Sequence, residues 1–493
     1  VQRWRCAAWS AALALLPAAP AAAHAFGARY DLPLPLPLWL ATAGLTVALS
    51  FVVFAAVLRP GAGGEAYPRF DLLRLPFARR LARPLTLALR ALAVSVFAVL
   101  IAAGLFGVQD PFRNLVPTFV WIVWWVGFAY LSGLVGDLWA VLNPWKALYL
   151  GAEATARWLR PSSGLGPGWR LAPGVGAWPA TALLLAFVWI EILWDGNSVP
   201  ANVARLGLGY SVLTWLGMFL FGREAWLRSG EVFAVYFGLL ARLAPTEVRV
   251  TGAGAAAAVR ELNLRPPAAG LLDARPAPVS TAAFALVMLA TVTFDGLRET
   301  PLWAGVLTRL SRPGEPLSDA VWYASGTAGL LLLPCLFGAV VLGAGAAMAR
   351  LTRGAARPGS AGELARLFVL TLLPIAFAYH LAHYLSYLLV AGQLVIPLAS
   401  DPFGYGWDLF GTAHYKVDAG LVGARFAWYT SVVVIVLGHV LAMYLAHRIA
   451  LDRFGDPRTA RRSQYPLAAL MVAYTMVSLW ILAQPVVETA AAR

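Results

Sequence analysis

The chain has 493 residues, of which 60% are hydrophobic and only 13% charged; its mean hydropathy is +0.70 and its net charge +14. A soluble domain is about 45–50% apolar and about 25% charged, so the composition excludes an ordinary soluble protein and reads as an all-α, polytopic membrane bundle. The positive charge falls in short loops between apolar stretches, as the positive-inside rule requires, and this excludes a nucleic-acid partner in favour of the lipid bilayer.

Residues 1–23 read as a cleaved signal peptide: Arg3 and Arg5, an apolar run from Ala7 to Leu16, then a Pro-Ala-rich end. Cleavage is expected after Ala23, with a cut after Ala25 as the close alternative; the first leaves His24 at the new N-terminus, where its α-amino group and ring could together chelate copper. Cys6 departs with the signal, and the remaining thiol, Cys335, is expected to be small and buried within an apolar span.

Apolar stretches of about 17–25 residues are candidate spans. There are ten: 38–58, 89–107, 117–136, 178–195, 206–222, 280–296, 321–347, 367–391, 426–447 and 465–486. With both mature termini outside, the inward loops hold 26 arginines and lysines against nine in the outward segments, which predicts that orientation in a bacterial inner membrane. Residues 24–493 then form one integral membrane domain. Three stretches do not span. Residues 137–160 and 231–243 read as inner interfacial helices, the second also as a re-entrant piece. The aromatic-rich outer loop 392–425 reads as a lid or a surface for a protein partner, because Trp407, Phe410 and Tyr415 need somewhere to pack. The Pro/Gly/Ala-rich segment 252–279 reads as a flexible inner loop.

Ionisable side chains inside spans are expensive and mark functional sites. His380 and His383, in FAYHLAHYLSYLL, stand i,i+3 on one helix face. His439 lies at a similar depth on the next span, antiparallel to the first. The three rings could meet near the midplane and hold a divalent metal (zinc, copper or iron) with an open coordination position. The same layout suits haem b with one histidine on each face. The alternatives are interhelical hydrogen bonds and a proton relay. Met443 and His447 continue the His439 face, with His447 read as interfacial beside Arg448. Glu191 and Asp195 end the fourth span at i,i+4, and Asp295 and Glu299 end the sixth in the same way. Both pairs could line an acidic mouth, supply general acid/base groups, or pair with Arg205, Arg298 or Arg309. Glu191 and Asp295 are the carboxylates expected to handle protons. Phosphate-binding glycine loops, nucleophile elbows and HExxH motifs do not occur in the sequence.

The strings HAFGARYDLPLPLPLWL, GDLWAVLNPWKAL, TFDGLRETPLW, AYHLAHYLSYLL, DPFGYGWDLFGTAHY and GHVLAMYLAHRIAL together resemble a family of bacterial multi-pass membrane proteins named fenitrothion hydrolase. The likeness covers nearly the whole mature chain. It implies hydrolysis of organophosphate triesters, a reaction commonly helped by a metal ion. The expectation is therefore a metal-dependent hydrolase acting on apolar, lipid-partitioning small molecules. A transporter or metal/haem-handling permease and a structural subunit of a membrane complex are the rivals.

Overall fold

The structure, a computed structural model, describes residues 30–59, 67–159, 165–251, 259–311, 317–484 and 487–488. The signal segment and His24 lie outside them. The chain is an all-α polytopic bundle built from α1 (Leu36–Val57), α2 (Pro76–Phe106), α3 (Leu115–Leu134), α4 (Pro144–Leu159), α5 (Trp178–Ile192), α6 (Pro200–Phe221), α7 (Val232–Leu240), α8 (Val279–Arg298), α9 (Asp319–Leu351), α10 (Leu373–Val390), α11 (Ala424–Phe454) and α12 (Pro457–Ala483). Helix α10 is the middle of a continuous helical run, Ala361–Ser400. Among the described residues, nine helices are long and apolar enough to cross a membrane. The tenth apolar stretch forms α5, whose 15 residues rise only about 22 Å at 1.5 Å per residue.

Local sequence sets the helix ends. Proline occupies the first turn of α1, α2, α5, α6 and α12, where its missing N–H costs nothing. The tight reversal between α11 and α12 uses three consecutive residues. Gly455 takes φ 72°, Asp456 accepts from the Arg458 and Thr459 amides, and Pro457 opens the next helix. Lipid gives apolar side chains no reason to leave it, so the helices meet through small residues. Gly104 faces Ala204 and the Pro200 carbonyl, Gly345 faces Ala361 and Ala365, and Gly438 faces Ala378 and the Pro374 carbonyl.

Burial ranks the helices. The most apolar window of α2 is 6% buried and that of α9 11%, whereas α8 reaches 72% and the run containing α10 reaches 83%. The helices that carry Asp295 and His383 therefore form the centre of the bundle, and α2 and α9 are its lipid-facing periphery. Cys335 on α9 is exposed, contrary to the expectation of a buried thiol, because α9 offers most of its surface to the surroundings.

Chain direction defines two faces. Among the described residues, the upper face carries the turns at 107–114, 193–199 and 391–423, and the lower face carries 58–59, 67–75, 135–159, 165–177, 222–251, 259–278 and 352–360. Strand β1 (Tyr30–Asp31) pairs in parallel with β5 (Val487–Glu488), bringing the two described ends of the chain together. At the lower face, β2 (Phe70–Asp71), β3 (Thr246–Thr251) and β4 (Val259–Leu264) form an antiparallel sheet in the order β2-β4-β3. The described part of 252–279 is thus strand and 3-10 turn before α8 begins, rather than a featureless loop. Helix α7 packs into the bundle: Phe233 and Phe237 are buried against α3 and α5. At the upper face the 401–411 turns sit on the 107–115 segment, with the Val108 amide donating to Phe403 and the Leu115 amide to Pro402. Trp407 packs on Phe403 and Tyr405, while Phe410 remains 71% exposed.

Glu247 clamps the lower sheet. It accepts from Arg69 Nε at 2.6 Å, Arg265 Nη1 at 2.7 Å and Tyr67 Oη at 3.2 Å. Burial works to raise its pKa, but the hydrogen bond from Arg69 and the charges of Arg265 and Arg69 outweigh it and hold the carboxyl below its ordinary value. A depressed carboxylate stabilises the fold above its unfolded pKa, and that contribution disappears as pH falls through the folded value. Glu247→Gln is therefore expected to cost about 1–3 kcal/mol at neutral pH. The gap between the two thermal unfolding curves should narrow on acidification; a gap independent of pH would contradict the assignment.

Candidate functional site

Asp295 lies in the last turn of α8, at the centre of the bundle. One carboxylate oxygen, Oδ2, meets His383 Nε2 at 3.0 Å and accepts from Tyr384 Oη at 2.5 Å. Both partners come from α10, where positions 383 and 384 together face α8. The His383 side chain is 2% exposed and that of Asp295 17%, so the cluster is enclosed on the histidine side and retains an opening at the acid. With Asp295 ionised, His383 Nε2 carries the proton and donates it.

Glu191, in the last turn of α5, is half-buried within electrostatic reach of Asp295, with Trp125 beside it. Tyr236 of α7, together with Tyr384 and Tyr387, lies within reach of Glu191. Trp125 belongs to a π-helical stretch, Thr118–Gly127, a departure from α-geometry often found at functional sites. Its ring packs 4.8 Å from Tyr236 and stands edge-on to His380. His380 is further enclosed by Tyr130 at 5.5 Å and Tyr384 at 4.8 Å. The His380 Nε2 atom is buried without a hydrogen-bond partner, while Tyr130 Oη donates to the residue's own carbonyl.

The i,i+4 pairing of carboxylates gives way to a different sorting. Helix α5 ends at Ile192, which turns Asp195 away from Glu191; Asp195 is exposed and accepts from Tyr323. Glu299, the residue after α8, is exposed too. The inner members, Glu191 and Asp295, come together across two helices instead. Arg298 donates to the Ile192 carbonyl, packs 4.9 Å from the Trp322 ring centre and lies within electrostatic reach of Asp295.

His439 stands apart. On α11 the neighbouring Gly438 is the residue that touches α10. One position further turns the side chain by about 100°, which directs His439 towards α12. Its Nδ1 lies 2.9 Å from the Ile435 carbonyl, its ring 5.8 Å from that of Tyr474, and its Nε2 has no partner. Tyr474 in turn meets Thr293 of α8 at 2.5 Å. Tyr379, whose buried hydroxyl is also without a partner, abuts Gly296 and lies within electrostatic reach of both Tyr474 and Asp295. A polar seam thus runs from Glu191 through Asp295 and Tyr379 to Tyr474 and His439.

The three histidines do not gather into one ligand set. Among the described residues, no group of three or more His, Cys, Asp or Glu could hold a metal ion. The direct contact of Gly438 with Ala378 and Pro374 also leaves no haem-wide gap between α10 and α11 at that level. The residues present therefore do not fit a three-histidine metal centre. His447, expected at the interface, is buried and edge-on to Phe51 of α1, because α1 covers the lower end of α11.

Sequence reading missed Trp125 and Tyr236, since an aromatic in an apolar helix carries no mark of its partner; Tyr384 stood out only as a neighbour of the histidines, and not as a partner of Asp295. It also passed over Glu231, the fully buried residue that caps α7. Glu231 accepts from Tyr210 Oη at 2.7 Å, Asn143 Nδ2 at 3.0 Å and Trp139 Nε1 at 3.1 Å, as well as from the Phe233 and Ala234 amides. Fully partnered, it locks α7 in place, a structural task.

Searches of family models, curated proteins and solved structures give no match to the chain.

Proposed function

We propose that this is a proton-handling membrane transport protein in which Asp295 takes up and releases a proton. The observation that carries the reading is the shared Asp295 oxygen, held by His383 and Tyr384 at the core of the bundle with Glu191 close by. Intramembrane carboxylate and histidine chains serve as proton relays in pumps and transporters. Protonating Asp295 cancels its attraction for His383, so the proton changes the contact between α8 and α10. That is the kind of coupling a transport cycle needs. The protein resides in a bacterial inner membrane with its upper face outside; the arginine-rich lower loops support this orientation.

Proteoliposomes containing a pH dye test the reading. Wild-type protein is expected to dissipate an imposed pH gradient faster than protein-free liposomes, and Asp295→Asn is not; equal rates for the two proteins overturn it.

The same geometry favours a second reading, hydrolysis. Asp295 and His383 are also the orienting and proton-accepting halves of an acid–base catalyst, in line with what the family resemblance implies. Turnover of a phosphotriester in detergent, where no gradient exists, separates the two: an enzyme works there and a transporter does not.

A further inference from the structure

A cavity of about 770 Å³ lies beside the acid–base cluster, between α2, α3, α5, α6 and α7. Its size falls within the range of small-molecule sites. The walls are almost wholly apolar, with Trp121, Trp124, Phe187 and Phe233 prominent. Trp124 faces this cavity while its neighbour Trp125 faces Glu191, so a layer of aromatic rings separates the apolar space from the acid. Trp139 and Trp145 also line the cavity, towards its lower end, and their indole N–H groups are already committed to Glu231 and Ser211. The buried Trp124 indole N–H is without a partner.

The upper end is different. Asn202 and Arg205 line it. Arg205 meets Asn202 Oδ1 at 3.4 Å, and among the described residues no carboxylate lies within ion-pair distance of its guanidinium. Along α6 the lining runs from Asn202 to Leu213, eleven residue steps, or roughly 16 Å at about 1.5 Å per residue. Half of a hydrocarbon core about 30 Å thick is about 15 Å, so the α6 wall of the slot matches the length of an acyl chain in one leaflet. Its rim includes Leu92, Leu131 and Leu213, all substantially exposed on the flank of the bundle, which gives lateral access from the bilayer.

We infer that this cavity binds an anionic phospholipid from the upper leaflet, one acyl chain in the apolar slot and the phosphate on Arg205. A guanidinium matches phosphate oxygens in geometry as well as charge. A lateral rim lets the second chain stay in the bilayer. The inference is independent of proton uptake at Asp295, and it names the class of molecule that the bundle would hold next to that acid.

Native mass spectrometry of the purified full chain, titrated with phosphatidylglycerol, phosphatidylcholine and diacylglycerol, tests it. Two substitutions fill the slot: Ala186→Trp at an exposed lining position, and Gly209→Leu where a new Cβ meets no neighbouring atom. Phosphatidylglycerol is expected to bind at least about tenfold more tightly than the other two lipids, and Arg205→Gln to remove that preference. Either slot-filling variant, with thermal unfolding unchanged, should lose the tight binding; Asp295→Asn should keep it. Equal binding of all three lipids, or undiminished binding by both slot-filling variants, overturns the inference. Loss of lipid in Asp295→Asn would also count against it, whereas loss of proton flux alone in that variant bears only on the transport reading.

Discussion

Asp295→Asn is expected to lower the protein-dependent proton flux at least about 100-fold, the usual scale for losing a positioned proton-transfer group, while the protein stays folded. Asparagine keeps the shape of the side chain and can still accept from Tyr384, so the contact of α8 with α10 survives in outline. What it loses is the charge that opposes His383 and the ability to bind and release a proton. The exposed acids provide the control. Asp195→Asn and Glu299→Gln alter residues placed outside the cluster and should leave the flux within about twofold of wild type, the scale of a surface substitution. Comparable losses in all three variants would mean that general surface charge matters, rather than the buried acid.

Glu231→Ala should produce the largest loss of stability. Five donors converge on that fully buried carboxylate, from Tyr210, Trp139, Asn143 and two amides at the start of α7. Removing it strands them in an apolar interior and deletes a helix cap, a cost of about 3–5 kcal/mol. In detergent this reads as a drop in thermal unfolding temperature well beyond that of Glu299→Ala. Glu231→Gln keeps one acceptor oxygen and should fall between wild type and Glu231→Ala. If Glu231→Ala unfolds with wild type, α7 is held by its aromatic packing alone.

The membrane architecture was legible because apolar length is a one-dimensional signal. All ten apolar stretches recur as helices, and α5 alone is too short to meet the length expected of a span. The lower sheet was hidden: β2 contributes only two residues, and the alternation in VRELNL is brief and sits among Pro, Ala and Gly. In the site, sequence could name Glu191, Asp295, His380, His383 and His439, since each is an ionisable residue in an apolar helix. It could not rotate the helices about their axes. Depth put His439 level with His380, but the close contact at Gly438 turns the histidine towards Tyr474. The i,i+4 spacing of acids failed for a related reason: it assumes the helix continues, and α5 stops one residue after Glu191. Which acid meets which histidine is a property of neighbouring helices, and no single helix records it.

The central claim is that Asp295 exchanges a proton inside the bundle. Infrared difference spectroscopy of the protein in lipid, taken across a pH step, reads this directly through the carbonyl stretch of a protonated carboxyl group. The account requires such a band in the wild type and its loss in Asp295→Asn, with Asp195→Asn retaining it. Identical difference spectra for wild type and Asp295→Asn would contradict the account.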